Sequence, residues 1–185
     1  MTDTMWEPKI RAQQPEAGSP TDPRQLRDAL GAFATGVVVV TYRSEGTDYG
    51  VTVNSFTSVS MDPPLVLVSI QRTSRALSCL LDRPFAVNVL GDDQLATALR
   101  FAGKPQDAHR VRWIDDDNAP RISGSPAYFQ CRPWASYDGG DHVLVVGRVV
   151  SYGQQDDARP LLFHRGKWGS LAEEQADDAI GEGRR

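Results

Sequence analysis

A β-hairpin near the end of the sequence limits the fold more than any other feature. Residues 127–137 and 142–152 are long β-prone segments, and only Asp138-Gly139-Gly140-Asp141 separates them. Asp and Gly readily adopt the positive φ angles of tight turns, so the two segments are predicted to pair antiparallel. A ribbon of this kind favours an antiparallel sheet over the parallel sheet of a βαβ fold.

The other β-prone segments are short, and regular helices do not alternate with them. Strands are predicted at residues 37–42, 49–53, 65–70, 85–90 and 161–168. The chain shows no internal repeat and no strand–helix alternation. This pattern predicts a mainly β fold with short helices, an antiparallel barrel with the helices at its ends.

The first predicted helix begins at Asp22-Pro23, because Asp is a good N-cap and Pro suits the first helical turn. Its end is predicted at Gly36. The helix would carry an apolar face formed by Leu26, Leu30 and Phe33.

Two further short helices follow from capping residues. One is predicted to begin at residues 73–74, and the other to run from Asp92 to Gly103. Residues 104–125 have no clear period, and an irregular segment of this length is often functional.

Length and composition indicate one compact domain. The chain has 185 residues, of which 40% are hydrophobic and 24% charged. The domain is predicted at residues 22–171, between a flexible arm at 1–21 and a tail at 172–185. A net charge of −4 argues against nucleic acid as the main partner, and the apolar runs are too short to span a membrane. The start of the chain lacks the apolar run of a signal peptide, so the expected location is the cytoplasm.

Several common kinds of site are not indicated. The cysteines, Cys79 and Cys131, stand far apart without metal-ligand spacing, and no disulfide or metal site is expected. No G-x-G-x-x-G follows a strand, and neither a P-loop nor a G-x-S-x-G motif occurs.

Residues 51–60 are dense in small hydroxyl and amide side chains between two apolar strands. A solvated loop or a Thr- and Ser-rich edge strand would show the same composition. A binding role is the alternative, because backbone groups and small side chains allow close approach to the polar edge of a flat ring.

Residues 71–75 open a helix and carry hydroxyl and guanidinium side chains. Free N–H groups at a helix start, together with Ser74 and Arg75, suit a phosphate. An ordinary N-cap followed by exposed arginines would give the same sequence.

The predicted hairpin turn presents an acid beside one of the three histidines of the chain. Asp141 would hold one tautomer of the His142 imidazole and leave the other ring nitrogen for a ligand. Turn chemistry alone also accounts for the glycines, and residues 160–168 need no explanation beyond a core strand and a Gly turn.

In their order along the chain, these segments resemble the flavin reductase-like family of FMN-binding split barrels. An amphipathic helix leads into Gly36-Val37-Val38-Val39-Val40, and the resemblance extends over about residues 24–171. The motifs that follow are Asn54-Ser55-Phe56-Thr57-Ser58-Val59-Ser60, Asp62-Pro63-Pro64-Leu65, Ser74-Arg75, Phe85-Ala86-Val87-Asn88-Val89-Leu90, Gly140-Asp141-His142 and Pro160-Leu161-Leu162-Phe163. The chain is most similar to short reductase components of two-component flavin-dependent monooxygenases.

The resemblance implies a homodimer of antiparallel split β-barrels with flavin near the subunit interface. It also implies hydride transfer from NADH or NADPH to FAD or FMN, with reduced flavin passing to a partner monooxygenase. FAD and NADH are the preferred pair, NADH because no cluster for a ribose 2′-phosphate is apparent. The alternatives are a flavin store or redox sensor without turnover, a pyridoxamine-phosphate oxidase-like enzyme and a deazaflavin-dependent enzyme.

Matching motifs assign site residues to this chain. The flavin would contact Thr52, Val53, Asn54, Ser55, Ser58, Val59, Ser60, Ser74, Arg75, Phe101, Gly103 and Lys104. Gly140, Asp141 and His142 would position the nicotinamide, with Asp141 and His142 as the catalytic pair, and Phe163 would lie close to both ligands.

Two positions depart from the family pattern. Val53 stands where relatives commonly have Ala, so a larger side chain would border the flavin ring. Ala76 stands where Thr or Ser is common, which removes one hydroxyl from the expected phosphate site.

Overall fold

A computed structural model describes residues 22–104 and 109–172 of the chain. The predicted arm at 1–21 and positions 173–185 of the predicted tail lie outside the described residues. The helices are α1 (Pro23–Leu30), α2 (Ala76–Asp82) and α3 (Leu95–Phe101), and a 3-10 turn (Asp92–Gln94) precedes α3. Among the described residues, no helix has the length and apolar content needed to cross a bilayer.

Strands make up most of the regular structure. Their bounds are β1 (Thr35–Gly36), β2 (Val38–Ser44), β3 (Thr47–Val53), β4 (Thr57–Met61), β5 (Pro64–Gln71), β6 (Phe85–Val89), β7 (Trp113–Ile114), β8 (Arg121–Ile122), β9 (Ala127–Gly139), β10 (His142–Gln154), β11 (Leu162–His164) and β12 (Lys167–Gly169). The prediction of a mainly β chain with few short helices is confirmed.

A seven-stranded antiparallel sheet in the order β3-β2-β6-β9-β10-β5-β4 forms the body of the molecule. Its two edge strands, β3 and β4, are consecutive in the chain and are joined only by residues 54–56. This short connection brings the two edges together and curls the sheet into a barrel. The predicted β9–β10 hairpin forms the long central ribbon.

The valine run at the start of β2 serves two apolar clusters. Val38 and Val40 point into the barrel interior, while Val37 and Val39 pack in an outer cluster with Leu161. Successive side chains of a strand face opposite sides, so a run without polar alternation indicates a strand buried on both faces. The second cluster therefore covers the outside of the sheet.

A buried hydrogen-bond network attaches the irregular segment after α3 to this outer face. Asn88 Nδ2 donates to Val39 O at 3.0 Å and to Thr41 Oγ1 at 2.9 Å, and Asn88 Oδ1 accepts from Ile122 N–H at 2.9 Å. The Thr41 hydroxyl donates to Pro120 O. Because Asn88 and Thr41 are fully buried, these bonds satisfy polar groups that water cannot reach.

Phe85 fills the barrel interior opposite a glycine. It is fully buried, and a Cβ on Gly147 would lie 2.5 Å from Phe85 Cζ and 3.0 Å from Cys131 Cβ. Gly147 is therefore required because the ring occupies the space of a side chain. Burial raises the pKa of the neighbouring Cys131 thiol to about 12, and both cysteines are free.

The predicted end of the first helix is wrong. Asp22 caps α1 as predicted, accepting from Arg24 N–H at 2.9 Å, but the helix ends at Leu30 with Gly31 as its C-cap. Gly36 lies instead in β1, paired with Leu162 of β11. A backbone partner from the far end of the chain keeps this glycine extended, and local sequence carries no sign of it.

The predicted final strand, residues 161–168, is in fact a hairpin. β11 and β12 pair antiparallel around Arg165-Gly166, whose φ angles are 48° and 75°. Two consecutive positive φ angles are typical of a tight hairpin turn with Gly second. The Gly turn that the sequence shows thus lies between two strands.

Candidate active site

An open cleft lies where β3, β5 and β10 come together at one end of the barrel. Its volume is about 290 Å³, at the lower end of the range for small-molecule sites. Its lining comprises Val51, Thr52, Val53, Asn54, Ser55, Ser69, Ile70, Gln71, Ser74 and His142. Six of the predicted site residues, from three separate motifs, therefore meet at one place.

Ser55 joins the two sides of the split in the barrel. Its hydroxyl accepts from Ser69 N–H and donates to Ser69 O, both at 3.0 Å. β4 pairs with β5 only as far as Thr57 and Leu67, so the Ser55 side chain replaces the strand partner that Ser69 would otherwise lack. The Ser55 hydroxyl thus has a structural role at the edge of the cleft.

The side chains that precede Ser55 differ in whether they can contact a ligand. Thr52 Oγ1 donates to Ala98 O at 2.8 Å and ties β3 to α3. Val53 packs partly against the interior cluster, so its extra bulk is shared between core and cleft. Asn54 is exposed, and its amide makes no hydrogen bond to another described side chain or backbone group. Asn54 is therefore the polar side chain of this wall that a ligand can engage.

The predicted Asp–His pair forms at the mouth of the cleft. His142 Nδ1 lies 2.6 Å from Asp141 Oδ1, and the His142 side chain is 39% exposed. The hydrogen bond from His142 lowers the pKa of the Asp141 carboxyl. A carboxylate only accepts hydrogen bonds, so Nδ1 carries the proton and Nε2 is left for a ligand.

The predicted phosphate segment contributes one residue to the cleft. Ser74 lines it, and Ser74 Oγ accepts from Ala76 N–H at 3.3 Å at the start of α2. Arg75 is exposed and lies at the N-cap of α2, outside the lining. Ala76 is 2% exposed, so its methyl group belongs to the core and not to a phosphate site.

Other predicted site residues lie outside this cleft in the single chain. On β4, Val59 is the extra residue of a bulge between Ser58 and Ser60, and it is 50% exposed. The remaining residues outside the lining are Phe101, Gly103, Lys104, Gly140, Asp141 and Phe163. Asp141 and Gly140 still adjoin the cleft through His142.

The structure places the two phenylalanines of this set away from the cleft. Phe101 packs on β3, where a Cβ on Gly50 would lie 3.0 Å from its ring, and it meets Trp113 edge to face. Phe163 lines a second cavity of about 550 Å³, between α1 and the β11–β12 turn, together with Arg27 and Arg165.

Sequence reasoning missed the contribution of β5. Ser69, Ile70 and Gln71 line the cleft, and Gln71 pairs with His142 across the β5–β10 ladder. Strand β5 reads as buried core in the sequence, and only the register of the sheet brings its end beside His142. The one sequence signal for this contribution is that β5 runs directly into residues 71–75, the predicted phosphate segment.

The lining fits a flat ring with one polar edge. Val51, Val53 and Ile70 supply apolar surface, while Asn54, Gln71 and His142 supply donors and acceptors. Orienting groups of this kind around an apolar wall are typical of cofactor sites. The residues present therefore fit the isoalloxazine ring of a flavin.

Comparison with known proteins gives the same assignment for the sequence. Residues 30–172 match the family model described as "Flavin reductase like domain". An NADH-dependent flavin reductase of Rhodococcus is 40% identical over 153 residues, which cover 80% of this chain and 86% of that protein. The reductase subunit HsaB of a flavin-dependent monooxygenase of Rhodococcus jostii is 37% identical, over 82% of this chain and 80% of that protein.

Solved structures agree in fold as well as in sequence. The flavin reductase PheA2 superposes with a TM-score of 0.78 and 36% identity, covering 83% of this chain and all of that chain (100%). The NADH:FAD oxidoreductase SgcE6 of Streptomyces globisporus, in complex with NAD and FAD fragments, gives a TM-score of 0.79 and 35% identity, covering 87% and 99% of the two chains. The split-barrel prediction is confirmed, and the chain belongs to the flavin reductase-like family.

Proposed function

We propose that this protein is an NADH-dependent flavin reductase that supplies reduced flavin to a partner monooxygenase. One observation carries the proposal: the Asp141–His142 pair, Asn54 and Ser74 border one cleft. An orienting imidazole, a free amide and a hydroxyl then face a ligand from three sides. The similarity to the reductase subunit of a flavin-dependent monooxygenase supports the delivery of reduced flavin to a partner enzyme.

The residues of the cleft act by positioning. Asn54 and the adjacent backbone hold the polar edge of the ring, and Ser74, with Arg75 beside it, takes the phosphate tail. His142 orients the nicotinamide through Nε2 while Asp141 fixes its ring. Flavin supplies the hydride acceptor, and hydride transfer needs alignment within about 3–3.5 Å and no strong general base.

The openness of the cleft suits a flavin that must leave after reduction. Asn54 is exposed, and His142 remains 39% exposed at the mouth. A site that leaves part of its ligand in water binds it with modest affinity. A flavin store would need a more enclosed pocket than the cleft of the single chain offers.

FAD and NADH remain the proposed pair. Relatives of both flavin types occur: the SgcE6 structure is named an NADH:FAD oxidoreductase, and SmoA of Agrobacterium fabrum, 41% identical, is named an FMN reductase (NADH). NADH appears in both names, and this shared electron donor supports the choice of NADH.

An anaerobic absorbance assay tests the function. Purified protein with excess FAD or FMN is expected to bleach the oxidised flavin over many turnovers when NADH is added, and more slowly with NADPH. Samples without protein control for direct reduction. Bleaching limited to one flavin per chain would indicate a store or sensor, and no bleaching with any of the four pairs would refute the proposal.

We also propose that the protein is a homodimer, with an apolar surface formed by α1 and the turn after it in the interface. Leu26 and Leu30 on α1 are 47% and 67% exposed, and Phe33, three residues beyond the end of the helix, is 77% exposed. Phe163, proposed to approach the ligands, lies in the cavity beside α1 and outside the cleft of its own subunit. A second copy packed on α1 would place that cavity at the interface.

Sedimentation velocity measures the expected assembly. The wild-type chain should sediment at about twice its 20.3 kDa mass, and Phe33→Asp should shift it toward the monomer. Thr47→Asp adds the same charge at the exposed first residue of β3 and should leave the dimer intact. An unchanged dimer in Phe33→Asp would contradict the placement of this surface in the interface.

A further inference from the structure

The side chain of Arg72, just beyond the end of β5, is bound to the turn that carries Asp141 and His142. Arg72 Nε donates to Gly140 O at 2.7 Å, and Arg72 Nη2 lies 3.0 Å from Asp138 Oδ1. The Arg72 backbone N–H also donates to Asp141 O at 3.0 Å. Three bonds from one residue therefore reach both sides of the β9–β10 turn.

The turn has little else to hold it. Residues 138–141 are all exposed, and Gly140 has a positive φ of 75°. Exposed hairpin tips with few buried contacts open at low free energy. The tip residues also lack the apolar side chains that anchor the two strands deeper in the barrel.

Asp138 binds both Arg72 and the backbone of the turn. Its Oδ1 accepts from Gly140 N–H at 2.8 Å as well as from the Arg72 guanidinium. The Gly140 N–H and Arg72 together lower the pKa of the Asp138 carboxyl, so it stays ionised in mild acid. A planar guanidinium meets a carbonyl and a carboxylate at once, which the single ammonium of lysine does less well.

We propose that Arg72 is a positioning residue that holds the Asp141–His142 pair at the mouth of the cleft. The proposal rests on the proposed function, because positioning matters to NADH only if His142 orients the nicotinamide. Arg72 touches no ligand in this account: it lies outside the lining and acts through Gly140, Asp138 and the turn. Arg72 also connects residues 71–75, proposed to bind the flavin phosphate, to the turn that carries His142. This connection would fix the position of the nicotinamide relative to the flavin.

Steady-state kinetics of Arg72→Gln supply the first test. The change removes the two side-chain bonds and keeps the backbone bond, so the turn stays attached but can shift. A displacement of a fraction of an ångström is expected to raise KM for NADH about 3–10-fold, while the Kd for flavin changes less than about twofold. Arg72→Lys should recover part of the loss.

Arg83→Gln is the matched control. Arg83 is an exposed arginine at the end of α2 whose side chain makes no hydrogen bond or ion pair with another described residue. The KM of the Arg83→Gln variant for NADH should equal that of the wild type.

Asp138→Asn removes the charge that faces Arg72 and should raise KM for NADH, by a smaller factor than Arg72→Gln.

Nitrogen NMR of the imidazoles supplies a readout that does not depend on turnover. With three histidines in the chain, the His142 ring is assigned by comparison with His142→Ala. Arg72→Gln should alter the Nδ1 and Nε2 shifts of His142 and leave those of His164 unchanged. Unchanged His142 shifts together with an unchanged KM for NADH would overturn the proposal, even if Arg72→Gln lowered thermal stability.

Failure of the proposed function would look different. If the wild type bleached no flavin, the imidazole shifts would still report whether Arg72 positions His142. If the wild type reduced flavin and the Arg72 and Asp138 variants matched it in KM and in shifts, only the positioning role would fail.

Discussion

Replacing His142 with alanine is expected to raise KM for NADH about tenfold or more, while the Kd for flavin changes less than about twofold. The His142 ring is held by Asp141 at 2.6 Å, so its free Nε2 is already oriented toward a ligand. Loss of one such hydrogen bond costs about 1–2 kcal/mol, and 1.4 kcal/mol corresponds to tenfold in affinity. Steady-state kinetics and flavin titration measure the two quantities separately.

The matched control is His164→Ala, which removes an exposed histidine of β11. It should leave both quantities unchanged. Asp141→Asn keeps the imidazole but replaces the carboxylate that fixes its tautomer, and it should raise KM for NADH by a smaller factor than His142→Ala. Equal losses of NADH and flavin affinity in His142→Ala would show that the residue shapes the whole cleft and does not act on the nicotinamide.

Phe85→Ala is expected to lower the free energy of unfolding by about 3–5 kcal/mol. Phe85 is fully buried in the barrel interior, where its ring occupies the space beside Gly147. Total stabilities of single domains are about 5–15 kcal/mol, so this loss would be a large share. Urea unfolding at one protein concentration measures it, because dimerisation would make the midpoint depend on concentration.

A double-mutant cycle shows whether the ring and the glycine act as a pair. Gly147→Ala should cost about 1–3 kcal/mol, because its Cβ would lie 2.5 Å from the ring. Combining it with Phe85→Leu should cost less than the sum of the single changes. Leu81→Ala, at an exposed position of α2, should cost less than about 1 kcal/mol. Additive losses would mean that the two sites do not share one space.

Elements with local signals could be predicted from the sequence. The β9–β10 hairpin follows from Asp138-Gly139-Gly140-Asp141. Strand β9 extends two residues further than predicted, to Gly139, so that only Gly140 and Asp141 form the turn. The cap of α1 at Asp22 follows from a bond between residues that are two apart in the chain. Such features depend on neighbouring residues alone, which is why the pattern was sufficient.

Features that depend on distant partners could not be predicted. Gly36 reads as a helix stop because its partner Leu162 is far along the chain. The composition of residues 51–60 suited a solvated loop or an edge strand, and pairing with β5 makes Thr57–Ser60 part of a strand. The role of Ser55 at the split depends on where β4 stops pairing, which composition does not show.

The candidate site divides in the same way. Asn54, Ser74 and His142 could be placed by motif, because family resemblance marks their positions. Arg72 could not, because its importance lies in reaching Gly140 and Asp138 across the fold. Phe163 matched by motif but lines a different cavity of the chain, since motif order does not show which residues the fold brings together.

The network around Asn88 has a consequence for how this chain tolerates insertions and deletions. Irregular segments ordinarily accumulate them, because their backbone groups are hydrated whatever their length. Adding or losing one residue between Pro120 and Ile122 would instead withdraw a carbonyl or an N–H from Thr41 and Asn88, where no solvent can replace it. The chain from Pro120 through β8 is therefore fixed in length, whereas the exposed turn at Glu45-Gly46 has no such buried bonds and can accept an insertion.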